Sequence, residues 1–525
     1  MPPIISLFPR SSGRAVPALA AVLALALSSG CTGGAARTAV RPPLDERVAA
    51  TATPALRTLY DQRIDWQPCA GDDGTDPDTA AVRCATLKVP LDYADPGGRT
   101  VDVALAEVPA ADPEHRLGAL LLNPGGPGNS GVGMVRWGWK NYQGPLHDRY
   151  DLVGFDPRGA GDTIPVHCLD DGTREEWDTT DDPAYDHGGV LAEACRARHA
   201  DLLPHVGTRD TARDLDVLRG ALGERRLDFL GFSYGTHLGA RYAEEFPDRT
   251  GRFVLDGAVD HSVPTARLGV EQAAAAEDGF RAFAADCATE DGTSCPFGPD
   301  PATAPRRLAR FLDGLRDRPL HTADGRTLTA ALGWGAVLNA LADGHQSWSG
   351  VREALEPAVT RGEGEGLLAL ADSVDGRGED GRYQTVADAF AAISCADGPP
   401  PPTEAELGPA LAELAARAPL TSGHDPAGTL LAPDCRAWPY RSPESPQPVR
   451  APGSAPVLVI GSTGDPVTPY AWAQRLAAGL EQGVLLTREG DGHMAYYRSS
   501  CVRDAVAAYL VEGRLPAPGT YCATD

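Results

Sequence analysis

Ser233 stands in Gly231-Phe232-Ser233-Tyr234-Gly235, the G-x-S-x-G spacing of a nucleophile held in a tight strand-to-helix turn. A serine hydroxyl attacks a carbonyl only when a base takes its proton, and the base needs an acid to orient it. Of the twelve histidines, His493 has the suitable setting, in Glu489-Gly490-Asp491-Gly492-His493-Met494, just after an apolar β-type run. The acid is expected after the preceding strand, and Asp465 is there, in Gly464-Asp465-Pro466-Val467-Thr468-Pro469. Asp256, after Leu255, is the competing acid; Asp491 is too close to His493 in sequence to orient it comfortably. Asp465 is favoured because its strand precedes that of the histidine. His237 reads as a packing or helix-surface residue.

A tetrahedral oxyanion needs two backbone N–H donors. Tyr234, the residue after the serine, supplies one. The other is expected from the loop Asn123-Pro124-Gly125-Gly126-Pro127-Gly128. Pro127 has no N–H, which makes Gly126 the first choice and Gly125 the second. The same loop contains a G-x-G-x-x-G at Gly126, Gly128 and Gly131, but a proline inside the turn suits a dinucleotide loop poorly. HExxH is absent. No cofactor and no metal are expected.

These residues need a scaffold that brings strand ends together. Ala119-Leu120-Leu121-Leu122, Asp151–Phe155, Leu227–Leu230 and Phe253–Leu255 are short apolar runs, each followed by a glycine-bearing turn. Runs of this kind, with helices between several of them, predict a mostly parallel α/β sheet whose site lies at the carboxyl ends of its strands. Thr211–Leu222 and Thr236–Phe246 read as two such helices. Residues 81–109 alternate β-type runs with turns and predict an antiparallel start. From 262 to 414 the strand signals vanish, and Gln272–Ala285, Arg306–Leu315 and Arg352–Val359 read as helices of a cap inserted over the sheet. Strands return at Pro456–Ile460 and Val484–Leu486, and a helix closes the chain near Arg503–Glu512. The expected division is 51–261 for the first part of the core, 262–414 for the helical cap and 415–525 for the rest of the core.

The 525 residues carry a formal net charge of −25, which argues against nucleic acid and anionic membrane surfaces as partners. At the N-terminus, Arg10 and Arg14 precede the apolar run Ala15–Leu27, too short to span a bilayer but suited to a signal peptide over 1–30. Ser28-Ser29-Gly30-Cys31 resembles a lipobox, with Ser28 where an aliphatic residue is usual. It predicts lipidation of Cys31 and a lipid anchor on the outer face of the cell membrane, with a Gly/Ala/Pro-rich tether over 31–50. Ordinary cleavage near Ala36 is the alternative. Setting Cys31 aside leaves ten of the eleven cysteines, in local couples: Cys69 and Cys84, Cys168 and Cys195, Cys287 and Cys295, Cys395 and Cys435, Cys501 and Cys522. Disulfides within these couples, formed after export, are expected.

Together the motifs resemble the bacterial secreted tripeptidyl aminopeptidases, relatives of the prolyl aminopeptidases. The matching pieces are Asn123–Gly128, Phe155-Asp156-Pro157-Arg158-Gly159-Ala160-Gly161, Gly231–Thr236, Val254-Leu255-Asp256-Gly257, Gly464–Pro469 and Gly492-His493, with a closing module from Cys435 to Cys522. Asn123 stands where prolyl aminopeptidases usually have histidine, which points to the tripeptidyl branch. The resemblance implies an α/β-hydrolase fold and a serine exopeptidase that takes short pieces from the free N-terminus of peptide substrates. Release of single residues, a secreted esterase or lipase with the same triad, and a non-catalytic binding protein on this fold are the competing readings.

Overall fold

Alternate residues of a strand face opposite sides of its sheet, so a strand that is apolar at every position must be covered on both. β4 (Gly118–Asn123) is such a strand, buried at all its positions. Leu121 joins one core with Val153, Phe229, Leu255 and Val459. Leu120 and Leu122 join the opposite core with Leu152, Leu230, Val254 and Leu458. The computed structural model describes residues 54–524 apart from 71–78, 183, 261, 290–294, 399–400, 424, 432–433 and 441–445. The expected signal segment, tether and Cys31 lie outside the described residues.

Among the described residues the sheet has ten strands. In chain order they are β1 (Gln67–Pro68), β2 (Arg83–Pro90), β3 (Thr100–Val108), β4, β5 (Tyr150–Phe155), β6 (Leu227–Phe232), β7 (Thr250–Asp256), β10 (Val457–Gly464), β11 (Gly483–Asp491) and β12 (Tyr521–Cys522). Their spatial order is β1-β2-β3-β5-β4-β6-β7-β10-β11-β12. The first four strands in that order pair antiparallel, and every pairing from β5 onward is parallel. This is the α/β-hydrolase architecture. Register then aligns the strand ends: Asn123 lies opposite Gly231, Phe232 and Ile460 both lie opposite Asp256, and Gly464 lies opposite Asp491. The loops that follow β4, β6, β7, β10 and β11 therefore emerge along one edge.

Between β7 and β10 the regular structure of the described residues is helical apart from one short hairpin. A long helix, Thr265–Thr289, is followed by Ala304–Gly314, Ala330–Ala340, His345–Arg361, Glu365–Asp375, Val386–Asp397, Glu404–Arg417 and Pro426–Leu431. Phe280, Phe283, Leu308, Leu312, Trp334, Trp348 and Leu355 give this segment a core of its own. Two departures from the sequence reading appear. A two-residue hairpin, β8 (Leu320–His321) with β9 (Thr327–Leu328), interrupts the helices. The expected boundary at 414 falls inside the helix Glu404–Arg417, because its Ala/Leu/Glu run and its Thr403–Glu406 capping box carry the helix through that point.

Among the described residues, five disulfides join the expected couples: Cys69–Cys84, Cys168–Cys195, Cys287–Cys295, Cys395–Cys435 and Cys501–Cys522. The fourth ties the helix Val386–Asp397 to the stretch leading into β10. The last ties the closing helix Ser500–Glu512 to β12.

Candidate active site

β6 ends at Phe232 and the helix Tyr234–Glu245 begins two residues later. Ser233 alone must turn the chain, and it does so at φ +53°, ψ −124°, a conformation that costs energy for any residue with a Cβ. Its neighbours hold it there. The Ser233 N–H donates to the Asp256 carbonyl at 2.9 Å, and its own carbonyl accepts from the Thr236 N–H at 2.8 Å and the Thr236 hydroxyl at 2.6 Å. The turn is also crowded: a Cβ on Gly235 would lie 2.6 Å from Asn123 Oδ1, and one on Gly231 would lie 2.6 Å from the Gly235 carbonyl oxygen.

His493 follows β11 and is buried, as is Asp465 after β10. His493 Nδ1 stands 2.8 Å from Asp465 Oδ2. The Thr468 hydroxyl donates to the same oxygen at 3.0 Å and lies 3.1 Å from Nδ1. The other carboxylate oxygen accepts the N–H groups of Val467 and Thr468, both at 2.8 Å. Four bonds therefore fix the carboxylate, and the carboxylate fixes the imidazole with a proton on Nδ1. The opposite nitrogen, Nε2, is buried with no protein hydrogen-bond partner.

Asp256 sits elsewhere in the arrangement. It is fully buried, and its two oxygens accept the N–H groups of Ala495 at 3.0 Å and Tyr496 at 2.8 Å. It thus supports the backbone that carries His493. Burial pushes its carboxyl up to about 6 against the pull of those two N–H groups.

The Asn123–Gly128 loop runs against Ser233. A Cβ on Gly125 would collide with the Phe232 carbonyl oxygen and lie 2.9 Å from Ser233 Cβ and 3.1 Å from the Tyr234 nitrogen. The Gly125 N–H donates to Asn123 Oδ1 at 3.0 Å, which engages that donor within the loop. Gly126 follows at φ +109°. Tyr234 is the first residue of its helix, where backbone N–H groups have no intrahelical carbonyl.

The helical segment touches these loops at several points. The His493 N–H donates to the Ala342 carbonyl at 2.7 Å. Gln272 Nε2 donates to the Val467 carbonyl at 2.7 Å. The Tyr234 hydroxyl bonds Thr208 and Asp397, the last residue of the helix Val386–Asp397. Asp397 is raised to about 6 by burial, against its bonds to Thr208. A cavity of about 610 Å³ lies between the Thr265–Thr289 helix and the loop after β10, with Glu271, Asp278, Tyr470 and Arg475 in its walls; it borders Asp465 rather than Ser233. On the Thr265–Thr289 helix, Glu271 and Glu277 are buried and Asp278 is exposed. Glu271 accepts from Arg267, Trp472 and Arg475, and Glu277 from Thr421 and the Leu420 N–H. His237 is half-buried and stacks on Tyr234, ring centroids 5.7 Å apart. Thr468 and Asp256 stand inside motifs that the sequence displays, but their bonds to His493 and its loop, like the Ala342 contact, join segments distant in the chain and could not be read from those motifs. Among the described residues, no group of three or more His, Cys, Asp or Glu side chains converges as a metal site.

Comparison with known proteins places this geometry. Residues 118–294 match the model for the alpha/beta hydrolase fold, and residues 424–522 match the model described as TAP-like protein. The chain is 35% identical to serine protease Hip1 of Mycobacterium tuberculosis over 485 residues, covering 88% of this chain and 91% of that one. It belongs to the tripeptidyl-aminopeptidase-like family of α/β-hydrolase serine hydrolases. A carboxylesterase B of Mycobacterium tuberculosis is also 35% identical, over 499 residues, with 92% and 94% covered. The tripeptidyl aminopeptidase of Streptomyces lividans is 28% identical over 482 residues, with 88% and 86% covered. Membership makes the chain a serine hydrolase, as the motifs around Ser233 and His493 led one to expect.

Proposed function

We propose that the chain is an exported serine exopeptidase that releases tripeptides from the free N-terminus of peptides, with Ser233, His493 and Asp465 as its triad. The observation that carries the chemistry is the 2.8 Å bond between Asp465 Oδ2 and His493 Nδ1, with Nε2 left as the unoccupied basic nitrogen. In this reading Ser233 Oγ attacks the scissile carbonyl as His493 Nε2 takes its proton. Asp465 holds the tautomer and stabilises the imidazolium that forms. The oxyanion is received by the N–H groups of Tyr234 and Gly126, since that of Gly125 is engaged by Asn123. His493 returns the proton to the leaving amine, and water, deprotonated by the same nitrogen, releases the acyl group from Ser233.

Selection of peptide ends is supported by the helical segment, whose contacts with the loops of Tyr234, Val467 and His493 restrict approach to the strand ends. A folded substrate's loop is too bulky for such an approach, whereas a chain terminus enters. The tripeptidyl aminopeptidase relative supports release of three residues at a time. Five disulfides support an oxidising compartment outside the cytoplasm, and Cys31 is the proposed lipid attachment point. Equal similarity to carboxylesterase B favours one second reading, an esterase using the same triad. A fluorophosphonate probe tests the site: the reading requires one adduct, at Ser233. Labelling elsewhere, or none, refutes it. Paired ester and peptide substrates then decide between the two activities.

A further inference from the structure

His493 is held by more than its acid. It lies between Gly492, at φ +100°, and Met494, at φ +64°, so its short loop is bent in a way that a buried methionine does not adopt unaided. Three groups hold the bend. Asp256 bonds Ala495 and Tyr496 from below. Arg498 donates back to the Met494 carbonyl at 3.4 Å. From above comes the helical segment: the turn Leu341–Asp343 before the helix His345–Arg361 places the Ala342 carbonyl 2.7 Å from the His493 nitrogen, and Asp343 Oδ1 2.8 Å from Arg498 Nη2.

The fit between turn and loop is tight. A Cβ on Gly492 would stand 2.5 Å from Arg498 Nε and 3.3 Å from the Asp343 carbonyl oxygen, and one on Gly344 would stand 2.9 Å from the Asp491 carbonyl oxygen. The Arg498 side chain is only 3% exposed, while that of Asp343 is 30% exposed. A cation this deeply buried needs a counter-charge, and it lies across the residue that precedes the histidine.

We propose that Asp343 and Arg498 are positioning residues for the catalytic base, fastening the helical segment to the His493 loop and cancelling a buried positive charge beside the imidazole. The inference rests on the triad reading above. Its consequence is mechanical and electrostatic together. The base is in register only while the turn sits on its loop, which couples closure of the helical segment to competence of Nε2. The imidazole, meanwhile, meets a neutral pair rather than a lone guanidinium. Burial raises the Asp343 carboxyl, and Arg498 and His493 pull it down, so carboxylate and imidazole sense each other. The other charged groups around His493 are Asp465 at Nδ1, Asp256 beneath, and Asp491 with Arg488 at the loop's start, where Arg488 Nη1 donates to the Asp491 carbonyl at 2.9 Å.

The test is the acid limb of kcat/KM against pH, which reports protonation of the base in the free enzyme, measured for the full chain and three variants whose folding is checked by thermal melting. Asp343→Asn leaves Arg498 uncompensated and moves the limb to lower pH by about one unit. Arg498→Met leaves Asp343 uncompensated and moves it to higher pH. Arg498→Lys keeps the charge and leaves the limb in place, while kcat falls roughly tenfold to a hundredfold from the lost geometry and KM changes little. Opposite shifts in the first two variants support the proposal. A folded Asp343→Asn or Arg498→Lys enzyme with a wild-type limb and wild-type kcat overturns it, as do shifts of one sign in both charge variants. Fluorophosphonate labelling of the wild type separates the two levels. An unlabelled Ser233 removes the triad and this proposal with it; a labelled Ser233 with unmoved limbs removes this proposal alone.

Discussion

Replacing Asp465 with asparagine changes one atom, and the structure dictates how that atom must sit. One carboxylate oxygen accepts two backbone N–H groups, from Val467 and Thr468, each at 2.8 Å. An amide NH2 cannot occupy that place, because it would face two donors. The asparagine oxygen must stay there, and its NH2 then faces Thr468 and His493 Nδ1. That nitrogen can meet a donor only by giving up its proton, which moves the proton to Nε2 and leaves no lone pair to receive the one from Ser233. The fold should survive, since both backbone donors keep their acceptor. Turnover should fall by about 10⁴, the magnitude that the equivalent swap has in a Ser-His-Asp hydrolase, or about 5 kcal/mol of transition-state stabilisation. Asp465→Ala should lose activity and also stability, because the buried Thr468 N–H and the part-buried Val467 N–H lose their acceptor, at ~1–3 kcal/mol for a buried donor. The assay is kcat on a peptide substrate at neutral pH alongside a melting curve. An Asp465→Asn enzyme within tenfold of wild type refutes the reasoning, and a well-folded but inactive Asp256→Asn enzyme would move the role of acid to Asp256.

Asp256→Ala should instead destabilise the fold by roughly 2–6 kcal/mol, from two orphaned N–H groups in the His493 loop, a loss read by chemical denaturation. The folded Asp256 carboxyl is raised to about 6 from an ordinary 3.8. Its contribution to stability is therefore fully present below about 3.8 and lost as pH rises through about 6, amounting to ~3 kcal/mol. Asp256→Asn should flatten that part of the stability-against-pH curve, and an unchanged slope counts against the assignment. Gly126→Ala should lower kcat by roughly 10²–10³ with little effect on substrate binding, since a Cβ there would press at 3.0 Å on the Gly128 and Asn129 nitrogens; full activity would point to another oxyanion donor. Removing Cys395–Cys435, which closes a loop of 40 residues, should cost roughly 4 kcal/mol, and an unchanged melting temperature would refute that.

Where the fold depends on local order, the sequence was a sufficient guide. Apolar runs bounded by glycine turns mark β4, β5, β6, β7 and β10, because a strand covered on both faces has no room for polar alternation. Chain order separated Asp465 from Asp256 as candidates without any geometry. What the sequence left dark is set by contacts between distant segments. Arg498 meets Asp343 across 155 positions, and Tyr234 meets Asp397 across 163, and neither pair has a spacing signature. The ends of the helical segment were also poorly legible, because helix signals over 404–417 do not say which layer a helix belongs to. β12 has two residues and owes its place to pairing with β11 and to Cys501–Cys522, which no periodicity could announce.

The most direct test of the account is mass spectrometry of the products from one unblocked peptide of mixed sequence, incubated in parallel with its N-acetylated form and with the Ser233→Ala variant. The account predicts successive three-residue fragments from the free N-terminus of the unblocked peptide. It predicts almost none from the acetylated peptide, and none above background from the variant. Internal cuts, equal cleavage of both peptides, or undiminished cleavage by Ser233→Ala would contradict it.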